Sequence, residues 1–150
     1  MSLSWAFKLW SEVELNRLKM EEKEKAMKKE NKLVYLASPY SHRLKKIRQR
    51  RFEQVAKLSS DLAEFGITNF SPIIHSHIQN EFNTLPQGWK FWQQHDQKFL
   101  ERCDELVVVC LNGWEKSKGV KAEINIAKKL GIPVKYVDAD GGFVQEANHV

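Results

Sequence analysis

Asp96 and Glu123 are two acids that the patterning of this chain does not simply hand to solvent. Glu123 lies in the helical last part of a segment, residues 104–127, that opens with an apolar, β-branched run at 106–111. The segment then passes through a polar turn at 112–119 and continues in a helical pattern. A carboxylate just past the carboxyl end of a buried parallel strand sits where open α/β sheets form their ligand crevices. Asp96 lies in the helical stretch 89–103 on a stripe with Trp92, Phe99 and Cys103. It therefore shares a face with apolar neighbours, an unusual setting for a free aspartate. Two carboxylates flanking a bound sugar can perform glycosidic chemistry, one as nucleophile or charge stabiliser and the other as acid or orienting group. The alternative for Glu123 is a surface acid at a helix start, where negative charge is favourable in any case.

Other groups with chemical capacity fall in three loops. The first runs from Ser38 through Pro39, Tyr40, Ser41 and His42 to Arg43, and Arg43 can reach a bound phosphate from it. The second, Ser71 to His77, holds His75 and His77. Two histidines at this spacing suggest a metal pair, but no third ligand completes a site, so no metal is expected. His75 is instead a candidate for lining a ligand cleft. The third loop ends in Ser117, Lys118, Gly119 and Val120, where amide donors and a helix dipole together make an anion cradle. Between the second and third loops, Trp89 and Trp92 in an aromatic stretch suit either a lid that stacks on a planar ligand or a surface buried between subunits. There is no Walker A sequence and no GxGxxG after the first strand, which disfavours P-loop phosphate transfer and dinucleotide binding.

These groups need a frame that brings them to one edge. Short apolar runs at 33–37, 67–70, 106–111 and 134–137 read as strands, the first stopped by Pro39. Helical patterns at 44–65, 89–103 and 120–130 separate them, with Gly66 and Gly131 as stops. Such alternation predicts right-handed βαβ units and a parallel sheet covered on both faces, an α/β domain over residues 32–150. The basic run Arg43, Lys45, Lys46, Arg48, Arg50, Arg51 reads as a solvated helix face, since no aromatic interleaving marks it for nucleic acid. Residues 1–31 stand apart as a helical extension. An aromatic head at Trp5, Phe7 and Trp10 precedes a helix expected from Ser11, with Ser11 as N-cap and Glu14 completing a capping box. The tail from 138 is expected to wrap the surface or meet a neighbouring subunit.

At 150 residues the chain suits one domain with a real core. Charged residues at 29%, hydrophobic ones at 42% and a net charge of +5 describe a soluble protein that tolerates an anionic ligand. Cys103 and Cys110, inside or beside the apolar run, read as reduced thiols of a cytoplasmic protein. No stretch has the length of a membrane span and no signal-peptide core is present.

In order and spacing, Leu33-Val34-Tyr35-Leu36-Ala37-Ser38-Pro39, Ser71-Pro72, Asp96 with Leu100 and Cys103-Asp104, and Ser117-Lys118-Gly119-Val120 with Glu123 resemble the nucleoside 2-deoxyribosyltransferase-like superfamily. The resemblance covers about residues 33–137. It implies a small Rossmann-like three-layer domain acting on the N-glycosidic bond of nucleosides or nucleotides, with no cofactor. Glu123 matches the glutamate that attacks the anomeric carbon, Asp96 the aspartate near sugar or base, and Tyr35 the tyrosine that positions the glutamate. The transferases usually carry an aspartate six residues before that glutamate, where this chain has Ser117. Serine there looks more like the nucleoside 5'-monophosphate N-glycosidases, in which it helps hold the 5'-phosphate. The glycine-rich loop of those hydrolases is replaced here by Ser-Pro-Tyr-Ser-His.

The resemblance thus implies hydrolysis of (deoxy)nucleoside 5'-monophosphates. Glu123, Asp96 and Tyr35 would be the catalytic set. Ser38, Tyr40, Arg43, His75, Trp92, Ser117 and Gly119 would surround the substrate. Deoxyribosyl transfer between bases, or a nucleotide-sensing module without turnover, are the other readings. Members of the superfamily commonly form dimers in which a neighbour completes the site, so a homodimer or higher homo-oligomer is expected, without nucleic acid or membrane as partner.

Overall fold

The computed structural model describes residues 4–86 and 88–145. Two compact units divide the chain, Met1–Asn31 and Lys32–Val150. The first is one helix, α1 (Ser4–Glu30), free of Gly and Pro and rich in strong helix formers. It starts seven residues before Ser11, because nothing between Ser4 and Ser11 breaks a helix. The Ser11 hydroxyl donates back to the Lys8 carbonyl at 2.8 Å, so Ser11 is an interior residue and not a cap. Arg17 bridges Glu14 and Glu21 along the same surface. The apolar residues of α1 do not gather on one face.

The second unit is a parallel sheet with helices on both sides. Its elements are β1 (Leu33–Ala37), α2 (Lys45–Glu64), β2 (Thr68–Phe70), α3 (Pro72–Phe82), α4 (Trp89–Leu100), β3 (Glu105–Val109), α5 (Lys118–Leu130) and β4 (Val134–Val137). The spatial order is β2-β1-β3-β4, every pair parallel. Period-two alternation divides the core. Tyr35, Ala37, Leu106, Val108 and Tyr136 face one side, with Leu100 of α4 and Val120 and Ala127 of α5. Val34, Leu36, Val107, Val109 and Val137 face the other, with Val55 and Leu58 of α2. Because β1 has β2 on one side and β3 on the other, the strand order reverses between β1 and β3. A crevice opens outside the carboxyl ends there.

Of the boundaries that move relative to the sequence reading, three have a clear local reason. β2 starts at Thr68, since the Ile67 N–H is spent on the Leu62 carbonyl at the end of α2. β3 ends at Val109, because the Leu111 N–H turns back to the Val109 carbonyl. The stretch Ser71 to His77, expected as a loop, is the first part of α3. The Ser71 hydroxyl accepts from Ile74 N–H at 3.3 Å and Pro72 fills the first helical position, a strong helix start. At the other end of the unit, Phe143 bridges antiparallel to Val137 and Val144 N–H donates to the Tyr136 carbonyl, which lays this part of the tail beside β4. Residues 146–150 lie outside the described residues.

Candidate active site

Glu123 sits in the second turn of α5, which Ser117 starts as N-cap and Gly131 stops at φ +70. The face of α5 that carries Val120 and Ala127 lies on the sheet, and Glu123 shares it. Its side chain is 5% exposed, and its Oε1 accepts a 2.7 Å hydrogen bond from the Tyr35 hydroxyl, which reaches out from the middle of β1. Burial pushes its carboxyl up to about 8, against the pull of the Tyr35 hydrogen bond, and the nearby Asp96 adds to the rise. Burial also raises Tyr35 well above the ordinary tyrosine range, so it acts as a neutral donor.

Asp96 projects from α4 beside the same space and is 7% exposed. Burial pushes it up to about 6, moderated by His95, whose Nδ1 lies 3.3 Å from Oδ1. Both acids line a cavity of about 490 Å³, within the roughly 300–1,000 Å³ range of small-molecule sites. Trp89 and Trp92 of α4 line it too. The Trp92 indole is fixed by an N–H donated to the Pro86 carbonyl at 3.0 Å.

The loops after β1 and β3 close the cavity from above. Ser38, Tyr40, Ser117 and Gly119 line it, as their sequence positions suggest. The Ser117 hydroxyl accepts from Val120 N–H at 3.3 Å. That bond leaves the hydroxyl hydrogen available, and the first-turn amides of α5 have no intrahelical acceptor. Tyr40 shares a 2.8 Å hydrogen bond with Nδ1 of buried His77, which stacks on Phe52.

Two expected lining residues lie elsewhere. Arg43 is exposed and does not line the cavity, since the chain turns into α2 immediately after it. His75 does not line it either. Helix α3 carries its ring to an aromatic cluster with Phe70, Phe99 and His95, where burial lowers its basicity. In their place the cavity wall holds Arg51, Ser76, Asn80, Lys116 and Lys118. The Ser71-Pro72 helix start was the sequence signal for Ser76 and Asn80. For Arg51 there was none beyond its membership of a basic run.

Among the described residues, the buried side-chain polar atoms without a protein hydrogen-bond partner are Ser38 Oγ and Asn80 Oδ1. Both residues line this cavity. A buried polar atom left unpaired costs about 1–3 kcal/mol, a cost that a polar group entering the cavity would relieve. No cluster of three or more metal-ligating side chains occurs among the described residues, nor any helix long and apolar enough to cross a membrane.

A family model described as a domain of unknown function, DUF1937, matches residues 32–139, from just before β1 to just past β4. The chain belongs to the DUF1937 family. Curated proteins give no match to it. A solved structure of a 2-deoxyribosyltransferase from the psychrotolerant bacterium Bacillus psychrosaccharolyticus is similar to it, with a TM-score of 0.52 and 22% identity. The similarity covers 75% of this chain and 77% of that one. At this identity the likeness is one of fold, and it supports the Rossmann-like three-layer arrangement of the DUF1937 domain.

Proposed function

We propose that this DUF1937 domain hydrolyses the N-glycosidic bond of (deoxy)nucleoside 5'-monophosphates, releasing the base and (deoxy)ribose 5-phosphate. The observation that carries the reading is the setting of Glu123: a buried carboxyl, held by one neutral hydroxyl, on the wall of a ligand-sized cavity beside a second carboxyl. In its ionised form Glu123 attacks the anomeric carbon, or stabilises the positive charge that develops there, as the C–N bond breaks. The bonding electrons leave with the base, which takes up a proton. Water then cleaves the glycosyl ester and restores the carboxylate. Tyr35 fixes the attacking oxygen, and Asp96 orients a sugar hydroxyl or the base. Ser38, Ser117 and the Gly119 amide hold phosphate, while Trp92 and Tyr40 flank the nucleoside.

The test is release of free base, followed by chromatography across matched nucleosides and 5'-monophosphates. Glu123→Ala is expected to lower turnover on the order of 10⁴-fold or more, with monophosphate affinity nearly unchanged, because the lost interaction belongs mainly to the transition state. Since attack needs the ionised carboxyl, kcat/KM should climb with pH and level off near the Glu123 value of about 8. Turnover by E123A at the wild-type rate sinks the assignment. Base exchange in the presence of a second base, without hydrolysis, transfers the reading to a deoxyribosyltransferase. Tight binding with no base release makes the domain a nucleotide sensor.

We read the working form as a homodimer or higher assembly in a cytoplasmic setting. Trp5, Phe7 and Trp10 of α1, Phe82 of α3 and Phe91 of α4 are exposed, more aromatic surface than a small monomer ordinarily leaves in water. Light scattering at micromolar concentration should give at least twice the mass of one chain. A monomer there would remove this part of the proposal.

A further inference from the structure

We infer that Arg51 is the anion hook of this site: its guanidinium takes the phosphate of a phosphorylated sugar, and the same side chain ties the first and third loops into the shape that receives it. The inference rests on the phosphorylated-substrate reading above and adds a residue and a coupling absent from it.

Arg51 lies in the second turn of α2, whose neighbours Lys45, Lys46 and Arg50 are exposed. It reaches over the carboxyl edge of the sheet. Its Nη1 donates to the carbonyls of Ser41 at 2.9 Å and Tyr40 at 3.3 Å, and its Nη2 to the Asn112 carbonyl at 2.9 Å. All three partners are neutral main-chain oxygens, one loop on each side. Among the described residues no carboxylate pairs with it. A half-buried guanidinium held this way keeps its full charge and spare N–H donors, and burial makes that charge costly until an anion meets it.

The third loop is shaped for this side chain. Gly113 has φ +90, and a Cβ there would come within 2.8 Å of Nη2. Glycine is needed both for the backbone and for the guanidinium beside it. The surrounding wall points the same way. Lys116, Lys118 and the buried, unpartnered hydroxyl of Ser38 line the cavity with Arg51. The acids that share this cavity, Asp96 and Glu123, are raised to about 6 and about 8, which trims their negative charge near neutral pH. A planar fork of donors matches phosphate oxygens better than a point charge does.

The test is calorimetric titration of the full chain with ribose 5-phosphate, a 5'-monophosphate and the matched nucleoside. Arg51→Met should weaken the two phosphorylated ligands about 10- to 100-fold and leave nucleoside affinity nearly unchanged. Arg51→Lys should recover part of the loss, because it keeps the charge without the fork. Gly113→Ala, which displaces the guanidinium but retains it, should show the same phosphate-selective loss and covers the case of a poorly folded Arg51→Met. Arg50→Met, on the exposed flank of α2, serves as control. Equal weakening of nucleoside and monophosphate would make Arg51 a loop clamp only and overturn the inference. So would a wild type that binds monophosphate no better than nucleoside. The two readings fail separately. Arg51-dependent ribose 5-phosphate binding without base release keeps the hook and removes the glycosidase, whereas base release indifferent to phosphate does the reverse.

Discussion

Glu105 and Glu123 are buried to nearly the same depth, 7% and 5% exposed, towards opposite edges of the central sheet. Glu105 opens β3 at the amino edge, and its Oε2 is met by Lys135 Nζ at 2.9 Å and Lys32 Nζ at 3.4 Å. Glu123, towards the carboxyl edge, has the Tyr35 hydroxyl at 2.7 Å, and among the described residues no cation pairs with it. A buried carboxylate closed off by two ammonium groups joins the ends of β1, β3 and β4 and has little left to offer a ligand. One held by a single neutral hydroxyl is a cost to the fold, tolerated where strain and unmet charge concentrate, at sites that act on something. Burial alone therefore does not mark a functional acid. The partner set does.

Neutralising each glutamate should move stability in opposite directions, and this is the largest effect expected from the comparison. Glu123 is raised from 4.5 to about 8 on folding. Between those values the native state holds a proton that the unfolded state has released, so this group's contribution to stability falls as pH rises through the window. Glu123→Gln removes that dependence and can still accept from Tyr35. At pH 8 it should gain about 2–4 kcal/mol, on the order of 10 °C in Tm, and the gain should vanish towards pH 4.5. Glu105→Gln should instead lose roughly 1–2 kcal/mol at neutral pH, discounted because both lysines are half-exposed. Thermal melts of the three proteins from pH 4.5 to 9 decide it. A Glu123→Gln protein less stable than wild type at pH 8 would mean the carboxylate is well solvated or paired, and the contrast would collapse.

How far this was legible in the sequence follows from what each element depends on. β1 and β4 are read to the residue, because an apolar run flanked by Ser-Pro or preceded by Pro has one way to sit in a parallel sheet. Asp96 could be singled out because it is an acid on an otherwise apolar stripe, and Glu123 because it follows the carboxyl end of a buried strand. Arg51 could not. Six basic residues fall within nine positions, and which one turns over the sheet edge is set by the angle at which α2 leaves the first loop. The same angle leaves Arg43 in water. His75 lies away from the cavity together with its surroundings. A three-residue strand followed at once by a capped helix leaves no room for the loop that periodicity suggested, and the helix turns that ring towards Phe70 and Phe99 instead of the cavity.

A smaller contrast sets two serines side by side. Ser71 and Ser117 cap α3 and α5 through the same bond, each hydroxyl accepting a backbone N–H three residues on at 3.3 Å. Only Ser117 lines the cavity. Replacing either with alanine should cost about 1 kcal/mol of stability, the ordinary value of an N-cap. Their effects on binding should part. Ser117→Ala should weaken 5'-monophosphates by roughly 1–3 kcal/mol and change nucleosides little, if its hydroxyl hydrogen and the adjoining α5 amides hold phosphate as proposed. Ser71→Ala should leave both affinities where they were. Titrating the two variants with one nucleoside and its monophosphate separates capping from recognition, because capping is common to both. If Ser71→Ala loses as much phosphate affinity as Ser117→Ala, the effect is helix stability and not contact. If Ser117→Ala weakens nucleoside and monophosphate alike, the start of α5 is not a phosphate cradle, and a transferase acting on unphosphorylated nucleosides becomes the better reading of this cavity.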